Sequence, residues 1–463
     1  MHRLLKCLLV GGSLVSIITL VGTVSFRVAV NRRIEQQVAI ATQILSPLVI
    51  KGATETNATA RQLNLLLAEI EPQVIGSQPP IETTGETESK IADSRPLHSQ
   101  SELAFHQALT QYYSDLQATT AGPIPTVPET VRLGLSERAQ TLSRIKTLLL
   151  DEPLPMWAFD ASKTSTVEPI SMMGFAQAHR LHGQLLALSL LNQQQGNTVK
   201  SRRYFQAARR LHDAVIHYPV NGIYVGLSMA EQRVMVTRWT NIPEPIVAVD
   251  YGAKLLESRQ YESAISTRTH LLALQAGGPQ ANAIQARFEQ PLLGPRGNHF
   301  LALAYIDSHQ THRQAHRVLS EHFKQNGPCD AQQLELPTLA SWNGPLQQFN
   351  PNSSALNRVA QVQLTAELNT LIAEVHAIYD RNQRWPEALS TTHSQVCAGN
   401  QWQYEETPQG ITISYSGTPD PDEQNTNAAL TYSAQGQASP IAFPSKGSAI
   451  APIHHANASD AWP

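Results

Sequence analysis

The sequence predicts a mainly α-helical protein with an N-terminal transmembrane helix, an array of helical hairpins that is tetratricopeptide-like in part, and a small C-terminal β-hairpin module. Three observations carry that expectation. Cys7 to Phe26 contains no charged residue, and about twenty helical residues at ~1.5 Å each span the hydrocarbon core of a bilayer. Between Ser101 and Asn382, apolar residues recur at the three-to-four spacing of amphipathic helices. Beyond Gln401 the period becomes two, in Gln401-Trp402-Gln403-Tyr404 and Ile411-Thr412-Ile413-Ser414-Tyr415.

The N-terminal run has a competing reading as a cleaved secretory signal. A signal's apolar core is usually ~7–15 residues long and ends in small residues. This run is longer, and Thr23-Val24-Ser25-Phe26-Arg27 is a poor cleavage site. The expectation is therefore an uncleaved single-pass anchor over residues 7–26, a cytoplasmic segment 1–6, and a body on the extracytoplasmic (periplasmic) side. The positive-inside count is nearly a tie, with Arg3 and Lys6 before the run and Arg27, Arg32 and Arg33 after it.

With 463 residues, the chain is long enough for two or three domains. Its formal net charge of −3 offers no global basic field, so nucleic acid is not an expected partner. Of the three cysteines, Cys7 falls in the anchor, leaving Cys329 and Cys397 in the body. They form a candidate disulfide in an oxidising compartment; two unpaired thiols is the other reading.

Membrane-proximal helices are expected over 27–71. Val28 to Leu45 continues out of the anchor until Pro47, and Ala60 to Ile70 forms a short second helix. Residues 72–100 read as a flexible linker, poor in large apolar residues. The helical body then runs from 101 to 328. Its first helix carries Leu103, Phe105, Leu109, Tyr112, Tyr113 and Leu116, and a second opens at Ser136-Glu137 and closes at Pro153. Met172 to Gln195 and Val199 to His217 form an αα-hairpin around Gly196-Asn197, which resembles one tetratricopeptide unit. Leu255 to Leu274, with Gln260-Tyr261 followed by Ala264, is a weaker second candidate. A repeat solenoid needs about three, so a general helical array is the expectation. Val220 to Trp239, Pro245 to Glu257 and Asn298 to Gln325 add helices, the last ended by Gly327-Pro328. Residues 329–434 hold a long helix, Val359 to Asn382, and the β-hairpin module with a third strand near Ala429-Leu430-Thr431-Tyr432. Residues 435–463 read as a disordered tail.

Tyr379, Arg384-Trp385-Pro386-Glu387-Ala388-Leu389, Trp402-Gln403-Tyr404 and Ile413-Ser414-Tyr415-Ser416-Gly417 resemble an ending found in uncharacterised bacterial proteins with one N-terminal anchor and a helical extracytoplasmic body. That ending is similar to the tail of type II secretion pseudopilins. The chain lacks the pseudopilin processing motif and carries a far larger helical body. The resemblance implies architecture and an envelope location rather than an activity.

Three places draw attention as sites. His309, His312 and His316 fall within about 60° of one another on a helical wheel and are candidate zinc ligands. Leu301, Tyr305, Leu319 and Phe323 share that face, so packed core histidines are the other reading. Asp420, Asp422, Glu423 and Asn425 lie between probable strands, where the pseudopilin-like ending implies a calcium loop; a solvated acidic turn is the alternative. Arg202, Arg203, Arg209 and Arg210, with Lys200, form a basic cluster on a helix face. No Walker loop, Gly-x-Gly-x-x-Gly, Gly-x-Ser-x-Gly or His-Glu-x-x-His is present. The leading expectation is a non-catalytic envelope scaffold with no required cofactor, attached to the membrane through residues 7–26 and facing other envelope proteins. A metal-dependent envelope hydrolase using the three histidines is the alternative.

Overall fold

A computed structural model describes residues 2–51, 55–70, 100–119, 124–159, 175–220, 222–240, 250–287, 294–329, 334–337, 353–407, 410–417 and 430–435, with side chains described from residue 23 onward except at 49–51, 100, 118, 175, 283, 285–287, 294–297, 353–354 and 435. Among these residues the chain forms helices α1 (His2–Lys51), α2 (Ala58–Ile70), α3 (Gln100–Ala118), α4 (Glu129–Glu137), α5 (Ala139–Asp151), α6 (Phe175–Gln194), α7 (Thr198–Ile216), α8 (Gly222–Thr240), α9 (Tyr251–Ala276), α10 (Pro279–Arg287), α11 (Gly294–Asn326) and α12 (Ser353–Asn382). Strands β1 (Trp402–Thr407), β2 (Gly410–Tyr415) and β3 (Thr431–Gln435) follow. The protein is thus mainly helical with a small antiparallel sheet at its C-terminal end.

α1 is a single helix of 50 residues. Its backbone runs through the expected anchor, whose side chains up to Gly22 lie outside the described residues. Among the described residues no helix is long and apolar enough to cross a membrane. The second half of α1 is bound into the body. Val30 and Ile34 pack with Leu271, Ala281 and Leu301 of α9, α10 and α11, whereas Ala41, Leu45 and Leu48 enter the largest core. Pro47, expected to stop the helix, lies inside it. Proline removes one i→i−4 bond, but the Ser46 hydroxyl donates to the Gln43 carbonyl thereby freed, at 2.8 Å. Burial of Leu45 and Leu48 on either side holds the path.

The helix expected from Ser136 to Pro153 is α5, and a further helix outside that expectation, α4, precedes it. α4 begins after Pro128 and buries Val131, Gly134 and Leu135. The chain then breaks at Arg138 (φ −96°, ψ 2°) before α5. Arg138 donates to the Gly134 carbonyl at 3.0 Å, and its guanidinium lies 4.5 Å from the centre of the Phe105 ring. Gly134 is required there because a Cβ would collide with that ring.

α6 and α7 form the expected hairpin. Gly196 adopts φ +76° in the turn, a region glycine enters without strain. Leu181, Leu185, Phe205, Leu211 and Val215 fill the core between them, and Ser189 donates to the Ser201 carbonyl at 2.9 Å within it. The second tetratricopeptide-like unit does not form. Residues 251–276 are one continuous helix, α9, opened by Asp250, whose carboxylate accepts from the Ala253 N–H at 2.8 Å. Gln260-Tyr261 contains no breaker, and Leu255, Leu256, Tyr261, Ala264 and Leu271 keep its packing in helical phase. The short helix α10 escapes the periodicity argument.

α12 joins two cores. Ala355, Leu356, Val359 and Val362 pack against α8 and α9, while Leu364, Leu368, Ile372 and Val375 pack against the sheet. Arg358 makes a two-pronged contact with Glu231 of α8 at 2.8 and 2.7 Å. About three turns farther along, Asn369 donates to the Val234 carbonyl and Thr237 hydroxyl. The sheet order is β1-β2-β3, antiparallel throughout, with Trp402 opposite Tyr415 and Ile413 opposite both Tyr404 and Tyr432. Trp385 packs on Tyr379, ring centres 4.2 Å apart, and Tyr404 donates to the Pro386 carbonyl. The Arg384-to-Leu389 segment therefore seats the sheet on the end of α12.

Candidate functional site: a histidine- and arginine-lined cleft

The three histidines of α11 line one cleft with Arg313 of the same helix and with Arg259, Gln260 and Ser263 of α9. Its enclosed part holds about 30 Å³, room for one or two waters. Leu256, Ala315 and Leu319 form its apolar floor. The placement follows from the helical repeat: Arg259 and Ser263 are four residues apart on α9, and His309, His312 and His316 are spaced by three and four on α11, so each set faces one direction.

His309 is the deepest of the three, 1% exposed. Its Nδ1 lies 3.2 Å from the Ser263 hydroxyl, and its Nε2 is buried with no hydrogen-bond partner among the described residues. Burial, with Arg313 and His312 beside it, pushes its pKa down to about 4. Burial also lowers His312, next to Arg259, and His316. All three are therefore neutral at pH 7, the form that ligates metals. Among the described residues, however, no group of three or more histidine, cysteine or acidic side chains is disposed to hold a metal ion. The physical reason is the rise of the helix: His309 and His316 are seven residues, ~10 Å, apart along the axis, whereas zinc draws its nitrogens to ~2.0–2.1 Å.

The structure joins Cys329 and Cys397 in a disulfide with Cα atoms 5.5 Å apart. It ties the end of α11 to the loop before β1. Gly327 makes the approach possible, with φ +74° and its α-carbon against the Val396 carbonyl, where a Cβ would collide. Beneath that loop the buried Glu367 accepts from the Ser394 hydroxyl and the Gln395 N–H, both at 2.7 Å. The calcium candidates Asp420, Asp422, Glu423 and Asn425 lie outside the described residues. The basic cluster on α7 faces the C-terminal end of α5, where Arg210 donates to the Glu152 carbonyl at 2.7 Å and Arg203 lies 4.0 Å from Asp151. A cation at a helix C-terminus is a stabilising arrangement.

Sequence reasoning missed a second polar cluster, sealed between α7, α8 and α9. Asp213 contacts His212 Nδ1 at 3.2 Å, His212 Nε2 contacts the Tyr251 hydroxyl at 3.2 Å, and Arg233 donates to that hydroxyl at 3.3 Å. His212, Arg233 and Tyr251 are all buried. Burial, reinforced by Arg233, pushes His212 down to about 4 despite Asp213. Burial alone would raise Asp213, but the His212 hydrogen bond and the Arg233 and Arg209 charges bring it below the ordinary value. The arrangement has the connectivity of an acid–base relay, with His212, Arg233 and Tyr251 buried and Asp213 partly exposed at its end, and it ties three helices together. Its residues lie on three separate helices, and no local spacing announces it.

No family model, curated protein or solved structure matches this chain. The pseudopilin-like ending therefore stands on the Arg384-to-Leu389 residues and the helix-then-strand order alone.

Proposed function

We propose that this chain is a non-catalytic scaffold or accessory protein of the cell envelope, anchored through residues 7–26 and presenting its helical body to protein partners outside the cytoplasm. The observation that carries the reading is the continuity of α1. One helix leaves the charge-free segment and is bound along its second half into two cores. An anchor coupled this way transmits its orientation to the body, which suits a positioning role better than a tether would. Exposed Val24, Phe26 and Val28 are interleaved with exposed Arg27 and followed by exposed Arg32 and Arg33, a composition suited to the headgroup region. The buried disulfide suits an oxidising compartment.

The test is alkaline extraction of native membranes combined with thiol labelling of intact cells. The reading expects the chain to resist extraction and Cys329 and Cys397 to become reactive only after reduction. Extraction into the soluble fraction would remove the anchor. Labelling without reductant, and only after cell opening, would place the body in the cytoplasm. Stoichiometric zinc in the purified chain, lost on His312→Ala, would replace the scaffold with a metal-dependent activity.

A further inference from the structure

We propose that the α9–α11 cleft is a binding site for a small oxyanion, a phosphate or carboxylate group, held between Arg259 and Arg313 and capped by the imidazole N–H of His309. The charge balance comes first. The cleft's lining includes two arginines and three histidines but no carboxylate. The nearest acid on α9, Glu262, is turned to the Ser258 hydroxyl at 2.9 Å and to Tyr224, which also bonds Arg259. A cation entering the cleft would meet two guanidinium charges, whereas an anion meets them as partners.

The second observation is independent of charge. His309 is 1% exposed, and its Nε2 reaches no partner among the described residues although the other ring nitrogen is engaged by Ser263. An unmade hydrogen bond in a buried site is costly, and the His309 side chain is part of the cleft's lining. In the tautomer in which the Ser263 hydroxyl donates to Nδ1, the proton sits on Nε2 and makes it a donor; this is the tautomer the proposal assigns. One oxygen of an oxyanion at that point would satisfy it. The enclosed 30 Å³ accommodates such an oxygen and little more, so the rest of the ligand lies toward Arg313, which is exposed at the mouth.

The experiment is calorimetric titration of the full-length chain in detergent with inorganic phosphate and, separately, with acetate, at low ionic strength. Imidazole nitrogen shifts of His309 are followed in parallel. Saturable binding of either probe is expected, with the phosphate or acetate arm naming the class and with the His309 Nε2 resonance moving on binding. Arg313→Gln, at an exposed position, should leave the melting temperature unchanged and weaken binding about tenfold, the scale of one charge-assisted hydrogen bond. His309→Leu should abolish binding. The proposal is overturned if neither probe saturates, if Arg313→Gln binds like the parent, or if zinc binds there in place of the anions.

Discussion

Breaking the disulfide between Cys329 and Cys397 should loosen the C-terminal sheet and leave the α6–α7 hairpin unchanged. The bridge spans 68 positions, and closing a loop of that length removes unfolded-state entropy worth ~4 kcal/mol at 25 °C in the chain-entropy model. Part of that is retained without the bond, because Cys329 and Cys397 are buried beside Trp385, Leu389 and Trp402, and two serine side chains in their places still fill most of the same volume. The expected loss is thus about 2–4 kcal/mol. It should be local, since α6 and α7 pack in a different core. Hydrogen exchange on Cys329→Ser/Cys397→Ser reads this directly: amides of β1 and β2 should exchange about 30- to 1,000-fold faster, the kinetic equivalent of that free energy. Amides of α6 and α7 should keep their rates. Unchanged exchange at Ile411 and Ile413 would refute the staple, and equal acceleration in α6 and α7 would refute its locality.

Acid should weaken the fold through its sealed histidines. His212 titrates near 4 in the folded chain against an ordinary 6.5, so the unfolded chain takes up a proton that the fold refuses. Its contribution, ~3 kcal/mol, is complete above pH 6.5 and is lost as pH falls from 6.5 toward 4; His182, also lowered by burial, acts in the same direction. Urea midpoints should drop between pH 7.5 and 5, and His212→Gln should flatten the drop; a midpoint constant over that range contradicts the assignment. Glu367→Ala removes the acceptor for Ser394 and Gln395, a loss of about 2–3 kcal/mol that thermal unfolding monitored on the sheet would show. Arg358→Met breaks a half-exposed pair with Glu231, so its cost, measured by chemical denaturation, should stay near 1 kcal/mol after solvent screening. Gly134→Val places branched carbons against the Phe105 ring and should destabilise the fold by about 2–3 kcal/mol of overpacking, more than the Arg358 change, read as a lower melting temperature.

What the sequence revealed follows what each signal depends on. The α6–α7 hairpin, α12 and the strands were legible because each is written in a local period, and Gly196 and Gly327 mark turns that demand positive φ. Pro47 misled because the compensating Ser46–Gln43 bond and the two flanking leucines are tertiary circumstances. α4 escaped for a similar reason: its buried Gly134 answers to the Phe105 ring, about thirty residues upstream, and not to a residue in its own window. α10 is too short, with nine residues, for a periodic argument to separate it from a loop.

The candidate site divides along the same line. That His309, His312 and His316 share a face is a one-helix fact and was legible. That their cleft is cationic is a two-helix fact, because Arg259 comes from α9 and its lining omits every acid. Spacing on α11 alone therefore left metal ligands and packed core histidines both open, since imidazoles at i, i+3 and i+7 say nothing of the opposite wall. That wall adds a guanidinium beside the motif without altering a residue of it. The same logic applies to Arg233, His212 and Tyr251: each is unremarkable within its helix, and only the packing of α7, α8 and α9 makes them one hydrogen-bonded unit.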